Sequence, residues 1–375
     1  MADRSGSRRT LACILVGLGA FCLVAAILIP TYTVSKLAKT PLDLEVTTVA
    51  TGEGADVLVA ASLASPTGSA VVDHDVPLVS QRFLTVEDPS DATKMTLQAG
   101  QTLRRTDKQG DTGLLTAVVD RVTIDRNTGM PVDDPIGTIQ VAADTPGQEV
   151  SHTGLQYRFP FGTEKKSYPY FDLSARESKD IEYVDETEIN GLTVYHFSQE
   201  VGPIDLYSVV PSATNRLSLP AAKWGVEGGE TPVTMTRWYT NKRDVWVEPT
   251  TGVVVKGAEV LHQYYARNAD QPEVDVLKDT LTFDENTIES QAEIAKDGMD
   301  TLSLFGRTLP IILGILGVIL LVVGVLLGIR GGRGRQGATP AHAAPSPSGG
   351  ASAAAPPQSR DWTKDKTDEI PRPGS

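Results

Sequence analysis

Catalysis needs side chains that attack, shuttle protons or hold a metal, and few such residues stand where they could cooperate. The chain has five histidines and two cysteines in 375 residues. Both cysteines, Cys13 and Cys22, fall inside one apolar run, out of reach of a soluble substrate. There is no G-x-S-x-G elbow, no phosphate-cradling glycine loop and no H-E-x-x-H pair. His74, His152, His196 and His262 are far apart in sequence. Metal-capable side chains crowd at Asp73-His74-Asp75 alone. In a strand, alternate residues share a face, so Asp73 and Asp75 would point together, an arrangement closer to a calcium contact than to zinc. A polar loop beside Pro77 is the plainer reading. The expectation is a non-enzymatic protein with no cofactor.

Aromatic residues are the second candidate set. Tyr157-Arg158-Phe159-Pro160-Phe161 is followed by Tyr168-Pro169-Tyr170-Phe171-Asp172, and later by Trp224, Trp238-Tyr239 and Trp246. Such rings offer large apolar area with polar tips, which suits the mouth of a pocket for an acyl chain or a sterol-like body. Phe159, Phe161, Tyr168, Tyr170 and Phe171 are therefore the ligand-binding candidates. The alternative, favoured on these residues alone, is that they form the core of a β domain.

The elements that position these residues begin with two membrane spans. A bilayer core about 30 Å thick is crossed by roughly 20 apolar residues in a helix. Residues 11–30 and 309–329 meet that length without a charge. The first run exceeds a signal h-region and lacks a small-x-small cleavage site, so it reads as an uncleaved anchor. Arg4, Arg8 and Arg9 precede the first span, and Arg330, Arg333 and Arg335 follow the second. Basic flanks stay cytoplasmic; Lys36 and Lys39 weigh only lightly the other way. The expected layout is a two-pass protein of the plasma membrane. Residues 1–10 and 330–375 lie in the cytoplasm, and residues 31–308 form an extracytoplasmic domain.

That domain carries 42 Asp and Glu against 24 Lys and Arg, a net charge of −18. So acidic a surface excludes nucleic acid as a partner and disfavours adsorption to anionic headgroups. It has no cysteine, hence no disulfide, but about 270 residues can bury a core without one.

Within it, residues 56–61, 115–124, 138–142, 192–197 and 253–265 are rich in Val, Ile, Thr and Tyr and read as strands. Ser65-Pro66-Thr67-Gly68, Pro89-Ser90-Asp91 and Glu227-Gly228-Gly229 are turn signals. Asn190-Gly191 predicts a type I′ hairpin over residues 181–197. One pattern recurs: Val122-Thr123-Ile124-Asp125 leads to Thr128-Gly129, and Val245-Trp246-Val247-Glu248 leads to Thr251-Gly252. A recurrent hairpin explains it; the pair is too short to establish duplication. Ile288, Ala292, Ala295, Met299 and Leu302 then recur at helical spacing, predicting an amphipathic helix into the second span. It would pack on the domain or lie along the membrane. Gly17, Gly19 and Ala20 in the first span, and Gly314, Gly317, Gly324 and Gly328 in the second, are small faces for pairing or self-association. The Ala-, Pro-, Ser- and Gly-rich tail should be disordered.

The layout resembles an actinobacterial envelope family commonly labelled the porin PorA family. The likeness rests on both spans, Tyr168-Pro169-Tyr170-Phe171-Asp172 and the hairpin at Asn190-Gly191. A more distant similarity is to class B scavenger receptors, which also hold a β-rich ectodomain between two spans. It is carried by Gly191-Leu192-Thr193-Val194-Tyr195-His196-Phe197, Val247-Glu248-Pro249-Thr250-Thr251-Gly252 and Leu261-His262-Gln263. That resemblance implies a barrel with a hydrophobic tunnel carrying lipid towards the membrane, although the ectodomain disulfides of those receptors are missing here.

The fold class expected is a β-rich (α+β) ectodomain, scavenger-receptor-like, between two terminal transmembrane helices. The function expected is binding or conduction of lipid or another hydrophobic envelope component. The alternatives are a structural scaffold and a pore-forming protein. A transmembrane barrel is disfavoured, because its strands need an apolar outer face. Expected partners are membrane lipids, with envelope proteins or self-association through the spans.

Overall fold

A computed structural model describes residues 4–332. The tail from residue 333 onward, including Arg333 and Arg335, lies outside the described residues.

The first span is helix α1, Arg4–Leu28. Pro30 removes one N–H from the ladder, which widens into a π turn at Ile29–Thr33 before the short helix α2, Val34–Leu37. Strands β1 (Glu45–Leu58), β2 (Val72–Glu87), β3 (Lys94–Arg105) and β4 (Leu114–Asp125) follow, with helix α3 (Ala60–Ala64) after β1. Short strands β5 (Thr138–Gln140) and β6 (Gln148–Glu149) lead through an irregular stretch to β7 (Tyr168–Asp172), β8 (Glu177–Ile189) and β9 (Leu192–Asp205). Then come α4 (Leu206–Val209), β10 (Arg216–Pro220), α5 (Ala221–Trp224), β11 (Pro232–Glu248), β12 (Val253–Ala266) and β13 (Val274–Phe283). Helix α6 (Glu285–Ser303) continues through a π turn at Leu304–Thr308 into the second span, α7 (Leu309–Gly332).

One antiparallel sheet results, in the order β6-β5-β4-β3-β2-β1-β13-β12-β11-β9-β8-β7, with β10 on β11. Two meanders meet at the β1–β13 pair, where Ala50 faces Phe283. Both of these strands are tied to spans that pack on each other, so the ends of the domain meet in mid-sheet. The sheet is not closed, so the scavenger-receptor-like barrel is not borne out. Its terminal strands β6 and β7 share no ladder. The chain between them makes one parallel bridge, Leu155 to Tyr170. Proline and glycine in that stretch keep it from extending the ladder.

Local chemistry explains the elements that match expectation. Asn190 and Gly191 sit at φ 50° and 76°, the conformation a type I′ turn demands, and set Ile189 opposite Leu192. The recurrent pattern makes the same turn twice. The Asp125 carboxylate accepts from the backbone of Asn127 and Thr128 and from the Thr128 hydroxyl. Glu248 does the same for Thr250 and Thr251. Gly129 and Gly252 follow at φ 72° and 74°. The strand expected at residues 56–61 ends earlier: β1 stops at Leu58 and Ala60 opens α3. Likewise β5 ends at Gln140, before Val141 and Ala142.

Helix α6 takes the packing role. Its Ile288, Ala292 and Ala295 are buried against Leu192, Val194 and Val255, and its N-cap Asp284 accepts from Thr287 N–H at 2.8 Å. The spans pair through their small residues. A Cβ on Gly317 would stand 2.9 Å from the Gly19 carbonyl oxygen, and one on Gly324 2.8 Å from Val16 Cγ2. Gly17, by contrast, has nothing within 4 Å. The second span runs three residues past the expected end, to Gly332.

Candidate functional site

The inner face of the curved sheet and one side of α6 enclose a cavity of about 700 Å³, within the size range of ligand pockets. Val46, Thr48 and Ala50 line it in succession along β1, which spans roughly 13 Å at the strand rise. Its lining reaches Leu37 just after the first span and Leu302 just before the second. Aliphatic and aromatic side chains make up somewhat more than half of the lining residues, and polar and charged groups are interspersed among them.

Three arginines line the cavity. Arg243 is fully engaged. Its Nη2 donates to Asp172 Oδ2 at 2.9 Å, its Nε to Glu259 Oε1 at 2.6 Å and its Nη1 to Gln199 Oε1 at 2.7 Å. Burial disfavours the Arg243 charge, but Glu259 and Asp172 outweigh it and hold the guanidinium well above its usual value. The Tyr239 hydroxyl donates to the same Asp172 oxygen at 3.0 Å. Burial, and then the Asp172 charge, push that phenol well up.

Arg158 has no carboxylate partner among the described residues. It donates to the Thr251 carbonyl at 2.7 Å, to the Phe159 carbonyl at 3.3 Å and to the Thr40 hydroxyl, and lies 4.4 Å over the Phe161 ring. Burial alone lowers its pKa to about 10, still protonated at neutral pH. Arg82 is freer. Its Nε reaches Gln101 Oε1 at 3.4 Å and its guanidinium lies 5.6 Å from the Tyr157 ring centre. Tyr157 in turn donates to Asp120 Oδ2 at 2.5 Å, and Asp120 Oδ1 meets His152 Nε2 at 3.0 Å.

The aromatic candidates divide. Phe159 and Tyr168 belong to a packed cluster with Phe197, Ile181 and Val247, with Phe159 and Phe197 ring centres 4.8 Å apart. Phe161, Tyr170 and Phe171 reach the cavity wall, Tyr170 from within the same cluster, and Phe171 also packs at a tilt on His152 with ring centres 4.3 Å apart. Trp224 and Trp246 lie elsewhere, against Tyr265 and His196. The Asp73-His74-Asp75 cluster is spent on other contacts. Asp73 takes Arg105 Nη1 at 2.8 Å, His74 meets Asp56 at 2.5 Å, and Asp75 sits at φ 55°, which breaks the alternation a shared face requires. Among the described residues no group of three or more His, Cys, Asp or Glu could hold a metal.

Arg82, Arg158 and Arg243 escaped the sequence reading. The signal was present in β2, where Val76, Leu78, Ser80 and Leu84 alternate inward and Arg82 falls on the same face. Phe83 takes the outer side and is half exposed.

The family model described as Porin PorA matches residues 11–326, nearly the whole described chain. The chain belongs to the Porin PorA family. A Porin PorA of Corynebacterium resistens is 34% identical over 401 residues, covering 86% of this chain and 97% of its own length. One of Corynebacterium amycolatum is 33% identical over 378 residues, covering 84% and 98%. Family membership makes this a membrane protein of the cell envelope, and the name its relatives carry describes a channel, not a catalyst. Within this Porin PorA member, the two apolar helices Arg9–Thr33 and Glu285–Arg330 are long enough to cross a bilayer.

Proposed function

We propose that this chain is a non-enzymatic, pore-forming protein of the cell envelope, and that its ectodomain cavity forms the outer part of the route. The name of the relatives supports the pore. The observation that carries the route is the cavity itself, which runs from mid-sheet to Leu37 and Leu302 at the roots of the two spans. The basic residues flanking the spans support placing both termini in the cytoplasm and the cavity outside. A pair of wholly apolar helices encloses no channel, so several copies must surround the membrane part. Ile315, Ile319 and Val322 on the exposed side of α7 are free to meet them.

The test is conductance of the purified full-length protein in planar bilayers. Discrete steps are expected, reduced in size by Thr48→Trp, which would fill the cavity while leaving the spans intact. A folded protein that inserts and gives no steps would sink this reading. A second reading, passage of a hydrophobic molecule in place of ions or small solutes, is favoured by the aliphatic wall made by Leu44, Leu84, Leu97 and Leu281. Stoichiometric lipid retained through purification and seen by native mass spectrometry would support it.

A further inference from the structure

The ectodomain is acidic overall, but its cavity wall carries Lys39, Arg82, Arg158 and Arg243 against the carboxylates of Asp172, Glu259 and Asp297. Its net charge is −18, yet two of the three arginines on the cavity wall have no carboxylate within salt-bridge distance among the described residues. Arg158 spends its donors on protein oxygens. Arg82 does not: neither of its Nη groups donates to any described residue, and its Nε makes only the long 3.4 Å contact with Gln101. Arg82 is half-buried on the cavity wall beside Thr48, Gln101 and Tyr157, so its free Nη groups are open to whatever enters the cavity, and it stands there without a counter-charge. An incoming anion would supply the missing counter-charge through a bidentate contact for which the planar fork is suited.

The surroundings specify the rest of the ligand. Arg82 pairs with Thr48 across the β1–β2 ladder, and the next inward pair towards the membrane is Val46 with Leu84. Beyond it the wall continues through Leu44, Phe161 and Leu302 to the spans. Arg82 thus presents a free fork at the head of an apolar strip that leads to the bilayer, with Arg158, already bound to Thr40 and Thr251, on the wall beside that strip.

We propose that the cavity binds an amphipathic anion, an acyl chain ending in a carboxylate or phosphate, with its head on Arg82 and its chain directed towards the spans. The inference rests on the cavity being where cargo is held, and it adds the chemical class of that cargo.

The experiment uses the full-length protein in phosphatidylcholine nanodiscs, with palmitate, hexadecanol and inorganic phosphate as probes. Saturable palmitate binding near one per chain is expected, with hexadecanol at least about tenfold weaker and phosphate alone unbound. Arg82→Gln should weaken palmitate by about ten- to a hundredfold and leave hexadecanol unchanged. Arg82→Lys should restore part of the loss, which excludes a mere folding defect. Palmitate and hexadecanol binding alike, with Arg82→Gln silent, would overturn the anion site while the passage reading stands. Binding of phosphate without a chain would overturn the amphipathic part. Loss of conductance with palmitate binding intact would refute the pore and support the anion site.

Discussion

Arg243→Met is the sharpest probe of the cavity wall. The guanidinium sits between Asp172, Glu259 and Gln199, all within 2.9 Å. Its side chain is 11% exposed and that of Asp172 only 2%. Removing one partner of a buried pair leaves an uncompensated charge and costs about 3–5 kcal/mol. Methionine keeps much of the length of the apolar stem, and Asp172 retains the Tyr239 hydroxyl and the N–H groups of Ser174 and Ala175. Those compensations place the loss near the lower end, about 3 kcal/mol. At roughly 2–4 °C per kcal/mol for a domain of this size, the melting temperature should fall by about 6–12 °C. Arg243→Lys keeps the charge but not the three-way fork, and should fall by about half as much.

The assay is thermal unfolding of the purified protein in mild detergent, followed by tryptophan fluorescence. The double variant Arg243→Met/Glu259→Gln should recover part of the deficit, because one of the stranded carboxylates is gone. A fall of less than about 1 kcal/mol for Arg243→Met, or no recovery in the double variant, would refute the claim that this network is desolvated and coupled.

Three further outcomes follow from the packing and hydrogen bonding. In a Cys13→Ser/Cys22→Ser background, Ala12→Cys with Gly328→Cys should form an intramolecular disulfide, since a Cβ on Gly328 would lie 3.9 Å from that of Ala12; covalent dimers on a non-reducing gel would instead mean that the spans pair between chains. The Asp91 pKa is lowered from 3.8 to about 2, chiefly by the Lys94 and Thr93 backbone N–H groups, so its contribution is complete above pH 3.8 and lost as pH falls through about 2. Asp91→Ala should therefore destabilise at pH 5 in urea titrations and converge with the parent near pH 2. Gly129→Ala should cost about 1–2 kcal/mol for its left-handed backbone, whereas Gly252→Ala should cost clearly more, because its Cβ would meet the buried Phe159 carbonyl at 2.1 Å; equal losses in chemical denaturation would contradict that difference in surroundings.

Features written in local spacing were legible. The spans follow from run length, the hairpin from Asn190-Gly191, the twin turns from Asp125 and Glu248 each three residues before a threonine, and α6 from its apolar period. The strand order was not legible, because β1 and β13 are joined across more than two hundred residues, a pairing that no local spacing encodes. The aromatic block was only half readable: Phe159 and Phe161 are two residues apart, yet one is buried in a cluster and the other faces the cavity. They lie in an irregular stretch where strand alternation gives no guide. The site itself was masked by an inversion in β2. Arg82 turns inward and Phe83 outward, against the assignment that hydrophobicity alone would make.

That inversion ties the fold to the proposed role. A stability-driven interior would place Phe83 inside and Arg82 fully in water, since drawing an unpaired cation even half out of solvent has a cost. Register forbids a local exchange: shifting β2 by one residue would expose Val76, Leu78 and Leu84 together. The packed neighbours therefore hold Arg82 in the cavity, and the cost is tolerable because the cavity is open enough for a counter-ion or cargo to enter. The twin turns strengthen the same wall. Phe159 N–H bonds to the Gly252 carbonyl at 2.9 Å and Phe161 N–H to that of Asn127 at 3.3 Å, so both turns grip the segment carrying Arg158. Arg158 is thereby set on a braced frame beside the apolar strip, while Arg82 is held further along the wall by the register of β2, so a molecule moving between cavity and bilayer would meet both charges in turn.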